Sequence, residues 1–291
     1  MFENNISIGT AQFGSNYGIS NQNQELGYDE CHKIIKICKK NNINNIDTAK
    51  EYGDAEKLLG KIGIESFKVN TKIKLHKGSF DIENLVLNLV YDSLKKLKIK
   101  KIESVMFHNY SFIKNVNKKK IYKLVNILKK KNLVNKIGVS INEFEEIKYL
   151  IDLDLFEVVQ CPFNILDQRL YKENWINEFK EKNIEIHIRS IFLQGLLNMN
   201  LINMPKYFEK WKDKFLVWNK FLNENNISPV EGCLNFINSH KDIDLIVIGV
   251  DTSDQLKQII KNNKIMNNKL IFPSISSIDK NLITPSYWQI S

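Results

Sequence analysis

The stretch NNIDTAKEYGDAEKLL, residues 44–59, contains one complete unit of the pattern that decides the fold. A short strand is predicted from Asn44 to Thr48, and a polar loop follows it. Asp54 then begins a helix in which Leu58 and Leu59 are expected to face the core. A buried strand that leads directly into a helix is typical of parallel sheets, because helices cover such sheets.

The same unit recurs along the chain, as apolar, β-branched runs alternate with longer segments of helical periodicity. Strands are predicted at residues 6–9, 44–48, 67–72, 102–108, 136–140, 156–161, 184–190 and 245–249. Helices are predicted at 29–40, from 54, and at 81–97, 118–131, 143–150, 171–182, 205–225, 229–239 and 253–261, with Leu85, Leu89 and Leu97 among the buried positions of the third. Eight such units in 291 residues predict a (β/α)8 TIM barrel of the α/β class.

A doubly wound open sheet is the alternative fold for alternating strands and helices. It is disfavoured, because no Gly-x-Gly-x-x-Gly follows the first predicted strand. No Pro-, Gly- or Ser-rich linker divides the chain, so we expect residues 1–291 to form a single domain.

The composition favours a protein of the cytoplasm. With 291 residues, 43% of them hydrophobic, the chain can bury a large core. We expect no membrane span, since no run of about 18 apolar residues occurs, and no secretion signal in residues 1–8. Cys31, Cys38, Cys161 and Cys233 are too scattered for a zinc ribbon or a redox pair, and they suit a reducing compartment.

The net charge of +9, from 42 Lys and Arg against 33 Asp and Glu, raises the question of nucleic-acid binding. The two basic runs at 118–120 and 129–131 flank an amphipathic helix pattern between Ile121 and Leu128, so they belong to its solvated ends. Because no nucleic-acid-binding motif accompanies them, we expect neither a nucleic acid nor a membrane as a partner. The sequence contains no heptad pattern from which an oligomeric state could be predicted.

Four polar residues fall at or just after the ends of consecutive predicted strands: Asp47, Tyr52, Lys72 and His108. Active sites of TIM barrels lie at the carboxyl ends of the strands. Adjacent strands are about 4.8 Å apart, so side chains from three consecutive strand ends can converge on one small volume.

These residue types together can reduce a carbonyl compound. A side chain cannot supply a hydride, so a nicotinamide cofactor is implied, and the proton must come from a group within hydrogen-bonding reach of the oxygen. A free tyrosine has a pKa of about 10, and a neighbouring ammonium would make it a better acid. We therefore expect Tyr52 to be the acid, Lys72 to tune it, Asp47 to anchor Lys72, and His108 to orient the carbonyl or relay the proton.

Each residue also has an ordinary explanation. An aspartate at a strand end often caps the next helix, a tyrosine near a barrel mouth usually packs, and a single histidine is commonly a satisfied polar residue. Lys74 competes with Lys72, since it lies two residues further along the same predicted strand face. The complementary chemistry of all four residues favours the catalytic interpretation.

The chain resembles the aldo-keto reductases in short motifs that occur in order along nearly its whole length. They are IGTAQFG (8–14), DTAKEYG (47–53), TK (71–72), FHN (107–109), GVS (138–140), VQCPFN (159–164), RSIFLQGL (189–196) and IGVDT (248–252). The resemblance implies a (β/α)8 barrel that uses NADPH, less often NADH, and no metal. It implies the catalytic roles of Asp47, Tyr52, Lys72 and His108, and it favours Lys72 over Lys74.

The resemblance also implies a cofactor site. Ser140 and Gln160 match the residues that hold the nicotinamide carboxamide, whereas Ile141 stands where an Asn often follows that serine, and Asn142 comes one place later. Arg189 stands where many members stack an aromatic ring, and a guanidinium plane can stack in the same way. The full set expected to bind the cofactor is Thr10, Gln12, Asp47, Ser140, Gln160, Arg189, Ser190, Gln194, Gly195, Ser253 and Gln255; the loop from Ser190 to Leu196 is expected to cover the pyrophosphate.

The resemblance makes NADPH the expected cofactor, although the residues after strand eight leave NADH possible. NADPH is the family's usual cofactor, and relatives often place Lys or Arg after strand eight to bind its 2′-phosphate. Here Asp251 and Asp254 follow that strand and would repel a phosphate, while Ser253 and Gln255 could donate hydrogen bonds. NADH is therefore the alternative.

The expected function is the reduction of an aldehyde or ketone, with sugar-related carbonyls as one class, to an alcohol. A cofactor-binding regulatory or scaffold subunit on the same barrel is the alternative, because barrels host unrelated functions. The small-molecule substrate is expected to contact residues 16–17, 109–112 and 199–207 and the tail 283–291, where Trp288 could equally close the barrel wall.

Overall fold

Eight parallel strands close into a barrel in the computed structural model, which describes residues 5–15, 18, 26–75, 81–108, 113–114, 116–263 and 269–290. Each strand pairs with the next one along the chain, and the eighth pairs with the first. The predicted (β/α)8 barrel is confirmed.

The strands agree with the predicted ones to within two residues at each end. They are β1 (Ile6–Gly9), β2 (Asn45–Asp47), β3 (Lys68–Ile73), β4 (Ile102–Phe107), β5 (Val134–Ser140), β6 (Val158–Pro162), β7 (Glu185–Arg189) and β8 (Leu245–Gly249). Strands of a parallel sheet are often continuous apolar runs, as in β8, which makes them easy to recognise in the sequence.

Helices and short 3-10 turns fill the segments between the strands. The helices are Tyr28–Lys40, Ala55–Ile62, Ile82–Leu97, Lys118–Lys130, Ile147–Leu153, Arg169–Lys172, Trp175–Glu181, Lys212–Glu224, Pro229–Asn238, Ser253–Asn263 and Lys280–Ile283. The 3-10 turns are Ala11–Phe13, Phe144–Glu146, Leu193–Asn198, Leu201–Asn203, Lys206–Trp211 and Pro285–Tyr287. Within the described ranges, no helix combines the length and the apolar character needed to cross a membrane.

Three helix predictions were wrong in detail. The helix predicted at 171–182 is two helices, because Asn174 between them adopts a left-handed conformation with φ 63°. The helices predicted to start at residues 143 and 205 begin with 3-10 turns, and their α-helical parts start at Ile147 and Lys212.

The buried face of the helix Ile82–Leu97 also differs from the prediction. Val86 and Val90 are fully buried together with Leu97, whereas Leu85 and Leu89 are only half-buried. The apolar stripe is wider than the contact with the barrel, so both neighbouring rows satisfy helical periodicity and only packing decides between them.

The strand register sets the position of the site. Asp47 pairs with Gly9 on one side and with Asn70 on the other, so Lys72 lies one residue pair nearer the carboxyl end of the barrel. Side chains of a strand alternate between its faces, and Asn70 and Lys72 therefore share one face. Ser104 donates a 2.6 Å hydrogen bond to Asn70 on that face, which is thus a polar layer beneath the site.

Candidate active site

The centre of the candidate site is an ion pair at the carboxyl ends of β2 and β3. Lys72 Nζ lies 2.5 Å from Asp47 Oδ1 and donates a second hydrogen bond, of 3.0 Å, to the carbonyl oxygen of Thr48. The side chains of Lys72 and Asp47 are 1% and 3% exposed, so the pair is removed from water. Lys74, the competing lysine, is exposed.

The surroundings of Lys72 keep it protonated. Complete burial opposes the charge on its ammonium, but attraction to the Asp47 carboxylate and to Tyr52 outweighs that effect. The pKa of Lys72 is therefore raised above its ordinary value. A fixed positive charge behind the tyrosine is what the proposed proton donor needs.

Gln160 of β6 reaches across the barrel to the same carboxylate. Its Nε2 donates a 2.7 Å hydrogen bond to Asp47 Oδ2, although 113 residues separate the two in the chain. Asp47 thus accepts from Lys72 on one oxygen and from Gln160 on the other. From the sequence, Gln160 was predicted to bind only the cofactor, because a contact between β2 and β6 leaves no local pattern in the sequence.

Tyr52 lies in the loop between β2 and the helix Ala55–Ile62, beside both Lys72 and His108. Lys72 Nζ is 5.2 Å from the centre of the Tyr52 ring. The imidazole of His108 meets that ring edge-on, with the ring centres 6.4 Å apart. The structure therefore brings the four predicted catalytic residues together at one end of the barrel.

Two glycines fix the loop that carries the tyrosine. Gly53 has a φ of +53°, and a Cβ atom there would lie 2.1 Å from the carbonyl oxygen of Gly14. A Cβ atom at Gly14 would in turn lie 2.0 Å from the carbonyl oxygen of Tyr52. The loops after β1 and β2 can approach this closely only because neither residue carries a side chain.

His108 has a carboxylate partner, Glu51, that was not predicted from the sequence. Its Nδ1 lies 3.2 Å from Glu51 Oε2, and the other carboxylate oxygen of Glu51 accepts a 3.1 Å hydrogen bond from the backbone amide of Lys74. Glu51 directly precedes Tyr52 in the chain, and that position was the available signal for this contact.

A cleft of about 350 Å³ opens in front of this cluster. That volume lies within the range of about 300 to 1,000 Å³ that small-molecule and cofactor sites occupy. The predicted residues that line it are Thr10, Gln12, Asp47, Tyr52, Arg189, Ser190, Gln194, Gly195 and Gln255. The cleft thus runs from the tyrosine past the ends of β7 and β8.

Some predicted cofactor residues are already engaged within the protein. Thr10 donates from both its amide and its hydroxyl to the carbonyl oxygen of Asp47, each over 3.0 Å, and so holds the end of β2. Ser140 is buried beside Gln160, its register partner in the neighbouring strand, and does not line the cleft.

Arg189 is held at the end of β7 by the residues after β5. Its Nη2 donates to the carbonyl oxygen of Ile141 over 2.9 Å and to Asn142 Oδ1 over 2.5 Å. Asn142 therefore orients the guanidinium plane, which lines the cleft. A fixed guanidinium plane can stack on a flat ring.

The loop after β7 has an unusual backbone. Ser190, Leu193 and Gln194 have positive φ angles of 61°, 48° and 52°, and Gly195 has a φ of 91°. Such conformations of non-glycine residues are costly and concentrate at functional sites. Asn164 supports the loop, because its Nδ2 donates to the carbonyl oxygen of Ser190 over 3.0 Å.

The chemistry of the cleft fits a nicotinamide dinucleotide. Gln12 Oε1, Gln160 Oε1 and Asp251 Oδ1 are buried acceptors without a hydrogen-bond partner. Gln12 and Asp251 line the cleft, and Gln160 lies behind Asp47. A buried acceptor without a donor is destabilising, and the carboxamide, amine and ribose hydroxyls of a dinucleotide are donors of the required kind. Among the described residues, no group of three or more His, Cys, Asp or Glu side chains could hold a metal ion.

The start of the helix Ser253–Asn263, next to the cleft residues Asp251 and Gln255, differs from the expected phosphate pocket. The amide of Ser253 donates a 2.6 Å hydrogen bond to Glu30 Oε1, so a carboxylate of the protein already binds the start of the helix Ser253–Asn263. Hydrogen bonds from Ser253 also lower the pKa of Glu30. The side-chain oxygen of Gln255 accepts from the amide of Asp251 over 2.7 Å.

The structure describes only some of the segments that are expected to contact the substrate. Residues 16–17 and 109–112 lie outside the described residues. Trp288 packs edge-on against Phe208 at 4.9 Å and donates to the carbonyl oxygen of Leu282 over 3.1 Å, so it helps to hold the tail. It does not line the cleft.

Comparison with known proteins places this geometry in a family context. The model of the aldo/keto reductase family matches residues 5–280. The glycerol dehydrogenase of Gluconobacter oxydans has a similar structure, with a TM-score of 0.71 at 18% identity over 91% of this chain and 88% of that chain. The aldo-keto reductase of Bacillus halodurans in its holo form gives a TM-score of 0.71 at 17% identity over 90% and 87%. No curated protein matches the chain.

Proposed function

Because the chain belongs to the aldo/keto reductase family, we propose that it reduces an aldehyde or ketone to an alcohol with Tyr52 as the acid. Members of this family are oxidoreductases that use nicotinamide cofactors, and this chain is an enzyme of that type. The observation that carries the assignment of the acid is the buried ammonium of Lys72, 5.2 Å from the centre of the Tyr52 ring.

The proposed roles of Tyr52, Lys72 and Asp47 follow from these contacts. When bound, the cofactor supplies the hydride that adds to the carbonyl carbon. Tyr52 gives its hydroxyl proton to the carbonyl oxygen, and the nearby ammonium of Lys72 stabilises the phenolate that remains. Asp47 holds Lys72 charged and in place, and Gln160 holds Asp47 from across the barrel.

A regulatory or scaffold subunit on the same barrel is the second candidate. Such a protein needs a cofactor cleft but has no use for a proton donor. The buried ion pair beneath Tyr52 therefore favours the enzyme, since isolating two charges from water brings no advantage to a binding protein.

The test is the variant Tyr52→Phe, which removes the hydroxyl and keeps the ring. We expect kcat to fall by roughly 10²- to 10⁴-fold, the usual contribution of a general acid, while the Kd of the reduced cofactor stays within about twofold. Tyr91→Phe, on the exposed face of the helix Ile82–Leu97, is the matched control and should retain full activity. Wild-type turnover in Tyr52→Phe would mean that another group donates the proton.

For the cofactor, we propose NADH rather than the family's more usual NADPH. The helix start that could attract a phosphate is already bound by the carboxylate of Glu30, and Asp251 lines the same end of the cleft. A 2′-phosphate there would face both carboxylates, whereas the 2′-hydroxyl of NADH can donate a hydrogen bond to one of them.

Fluorescence titration of the protein with each dinucleotide tests this choice without turnover. We expect NADH to bind at least about tenfold more tightly than NADPH, equivalent to about 1.4 kcal/mol. Glu30→Gln should narrow the difference, since it removes one of the charges, and Michaelis constants for both cofactors should follow the same order. Tighter binding of NADPH by the wild type would contradict the proposal.

We further propose a single domain, a cytoplasmic location and a sugar-related carbonyl substrate. The four cysteines are buried and unpaired, which suits a reducing compartment. The structurally similar glycerol dehydrogenase of Gluconobacter oxydans is named for a polyol, which supports a polyhydroxylated substrate class. A panel of sugar aldehydes and ketones against apolar aldehydes of equal size would test the substrate class.

A further inference from the structure

We propose that Glu51 is a positioning residue that holds His108 in the tautomer with its proton on Nδ1. This inference rests on the proposed function, because it concerns how His108 serves the proton donor Tyr52. The residue type alone leaves two roles open for His108. The first is to orient the carbonyl group, and the second is to accept or relay a proton; the tautomer decides between them.

The contact has the geometry of a hydrogen bond. His108 Nδ1 and Glu51 Oε2 are 3.2 Å apart, at the long end of the usual range for N–H···O bonds. The carboxylate cannot easily rotate away, because its other oxygen accepts from the backbone amide of Lys74. The amide of His108 is itself bound to the carbonyl oxygen of Ile73 over 2.9 Å, so both partners are attached to the end of β3.

The direction of the hydrogen bond follows from the charge of the carboxylate. Partial burial opposes ionisation of Glu51, but the hydrogen bond and charge of His108 and the bound amides outweigh it and lower the pKa of Glu51. An ionised carboxylate can only accept. The proton of this bond therefore belongs to Nδ1 of His108.

The consequence concerns the second ring nitrogen. In a neutral imidazole one nitrogen donates and the other accepts, so a proton fixed on Nδ1 leaves Nε2 as an acceptor. Neutral His108 then cannot donate a hydrogen bond to a carbonyl oxygen. It can accept a proton at Nε2 from solvent or a hydroxyl group, and the resulting imidazolium can return that proton to the Tyr52 phenolate after reduction.

The surroundings of His108 permit this exchange. Among the described residues, the titratable groups that contact His108 or its neighbouring ring are Glu51 and Tyr52 in one loop and, behind the tyrosine ring, Lys72. The side chain of His108 is 29% exposed, so its ring has access to solvent. A carboxylate that fixes the tautomer of an imidazole is an established way of preparing a proton acceptor.

Nitrogen NMR of the histidine rings tests the tautomer directly. The chain has five histidines, and His108→Asn would assign the signal of interest by its disappearance. In its neutral form, the His108 imidazole of the wild type should show the proton on Nδ1. Glu51→Ala should shift His108 to mostly the Nε2–H form, whereas Glu51→Gln, whose amide oxygen can still accept, should retain a measurable share of Nδ1–H.

Kinetics on the same variants test the consequence for catalysis. Glu51→Ala should lower kcat by at least about tenfold, below the roughly 10²- to 10⁴-fold effect of losing an acid outright, with KM and cofactor Kd unchanged. Glu51→Gln should recover part of that loss. Glu178→Ala, an exposed glutamate on the helix Trp175–Glu181, is the matched control and should change neither the spectrum nor the rate.

Three results would overturn the inference: an Nε2–H signal for His108 in the wild type, an Nδ1–H signal that persists in Glu51→Ala, or an unchanged kcat in that variant. The NMR signals do not depend on turnover. An inactive wild type with the Nδ1–H tautomer would therefore count against the proposed function, whereas an active wild type with the Nε2–H tautomer would count against Glu51 alone.

Discussion

Replacing Lys72 by Met would remove the buried charge of the site and keep most of the side-chain volume. In the wild type, Lys72 Nζ lies 2.5 Å from Asp47 Oδ1, and the two side chains are 1% and 3% exposed. The variant would leave the Asp47 carboxylate buried and without its cation, with the hydrogen bond from Gln160 still in place. Both stability and catalysis should therefore change.

The expected loss of stability can be worked from the structure. At 2.5 Å and an effective dielectric constant of about 20, two unit charges attract by roughly 6 to 7 kcal/mol. The variant no longer buries a charged ammonium, and the absence of that desolvation cost reduces the net loss of stability. Removing one partner of a buried ion pair typically costs about 3 to 5 kcal/mol. We expect Lys72→Met to lower the free energy of unfolding by that amount.

A double variant separates the stranded charge from lost packing. In Asp47→Asn/Lys72→Met neither charge remains, and the asparagine oxygen can still accept from Gln160. The double variant should therefore be more stable than Lys72→Met alone, by about 2 kcal/mol, although it carries one more substitution. Urea denaturation followed by circular dichroism measures both differences.

The kinetics of Lys72→Met provide a second test. Without the ammonium, Tyr52 loses the charge that favours its phenolate, and kcat should fall by at least about a hundredfold. Lys74→Met, at the exposed competing lysine, should keep both activity and stability. Two results would refute the idea that an unpaired buried carboxylate causes the loss of stability. One is a Lys72→Met variant that is as stable as the wild type, and the other is a double variant that is no more stable than Lys72→Met.

Two further predictions concern the loop and the base of the barrel. Gly53→Ala should lower kcat and destabilise the fold by about 1 to 3 kcal/mol, because its Cβ would meet the carbonyl oxygen of Gly14 at 2.1 Å; Gly27→Ala, where a Cβ meets nothing within 4 Å, is the control for urea titration. The pKa of Glu185 is lowered from 4.5 to about 2, chiefly by the imidazole of His187, whose Nε2 lies 3.5 Å from Glu185 Oε2, so this stabilisation is present above pH 4.5 and is lost as pH falls through about 2. Glu185→Gln lacks this group, and its free energy of unfolding should fall less steeply across that pH range; an identical slope would contradict the assignment.

The barrel could be predicted from the sequence because its signals are local. A parallel strand such as Leu245–Gly249 is a continuous apolar run, and the helix Ser253–Asn263 that follows it has its own periodicity. Where the predictions failed, the deciding factor was tertiary. Val86 rather than Leu85 faces the barrel because of how the helix packs, and Asn174 divides a helix by adopting a backbone conformation that its sequence neighbours do not require.

The site was predictable to the extent that strand ends are. Asp47, Lys72 and His108 follow or end consecutive strands, so the closed barrel brings them together. The contacts that tune them were not predictable in this way. Glu30 reaches Ser253 across 223 residues, and Gln160 reaches Asp47 across 113, and neither spacing follows from any local periodicity.

The contacts of Asp47 explain why this arrangement suits one type of reaction on many different substrates. Each of its carboxylate oxygens is bound, one to Lys72 and one to Gln160, and its carbonyl oxygen holds Thr10. The charge beside Tyr52 is thus fixed by β1, β2, β3 and β6 before any ligand enters, and charge positioned in advance needs no rearrangement during the reaction. These bonds come from strand residues and from Thr10, directly after β1, and not from the described residues further along the surface loops. Substitutions in those loops should therefore change KM by different factors for different carbonyl substrates. The loss of kcat in Tyr52→Phe should be the same for all of these substrates.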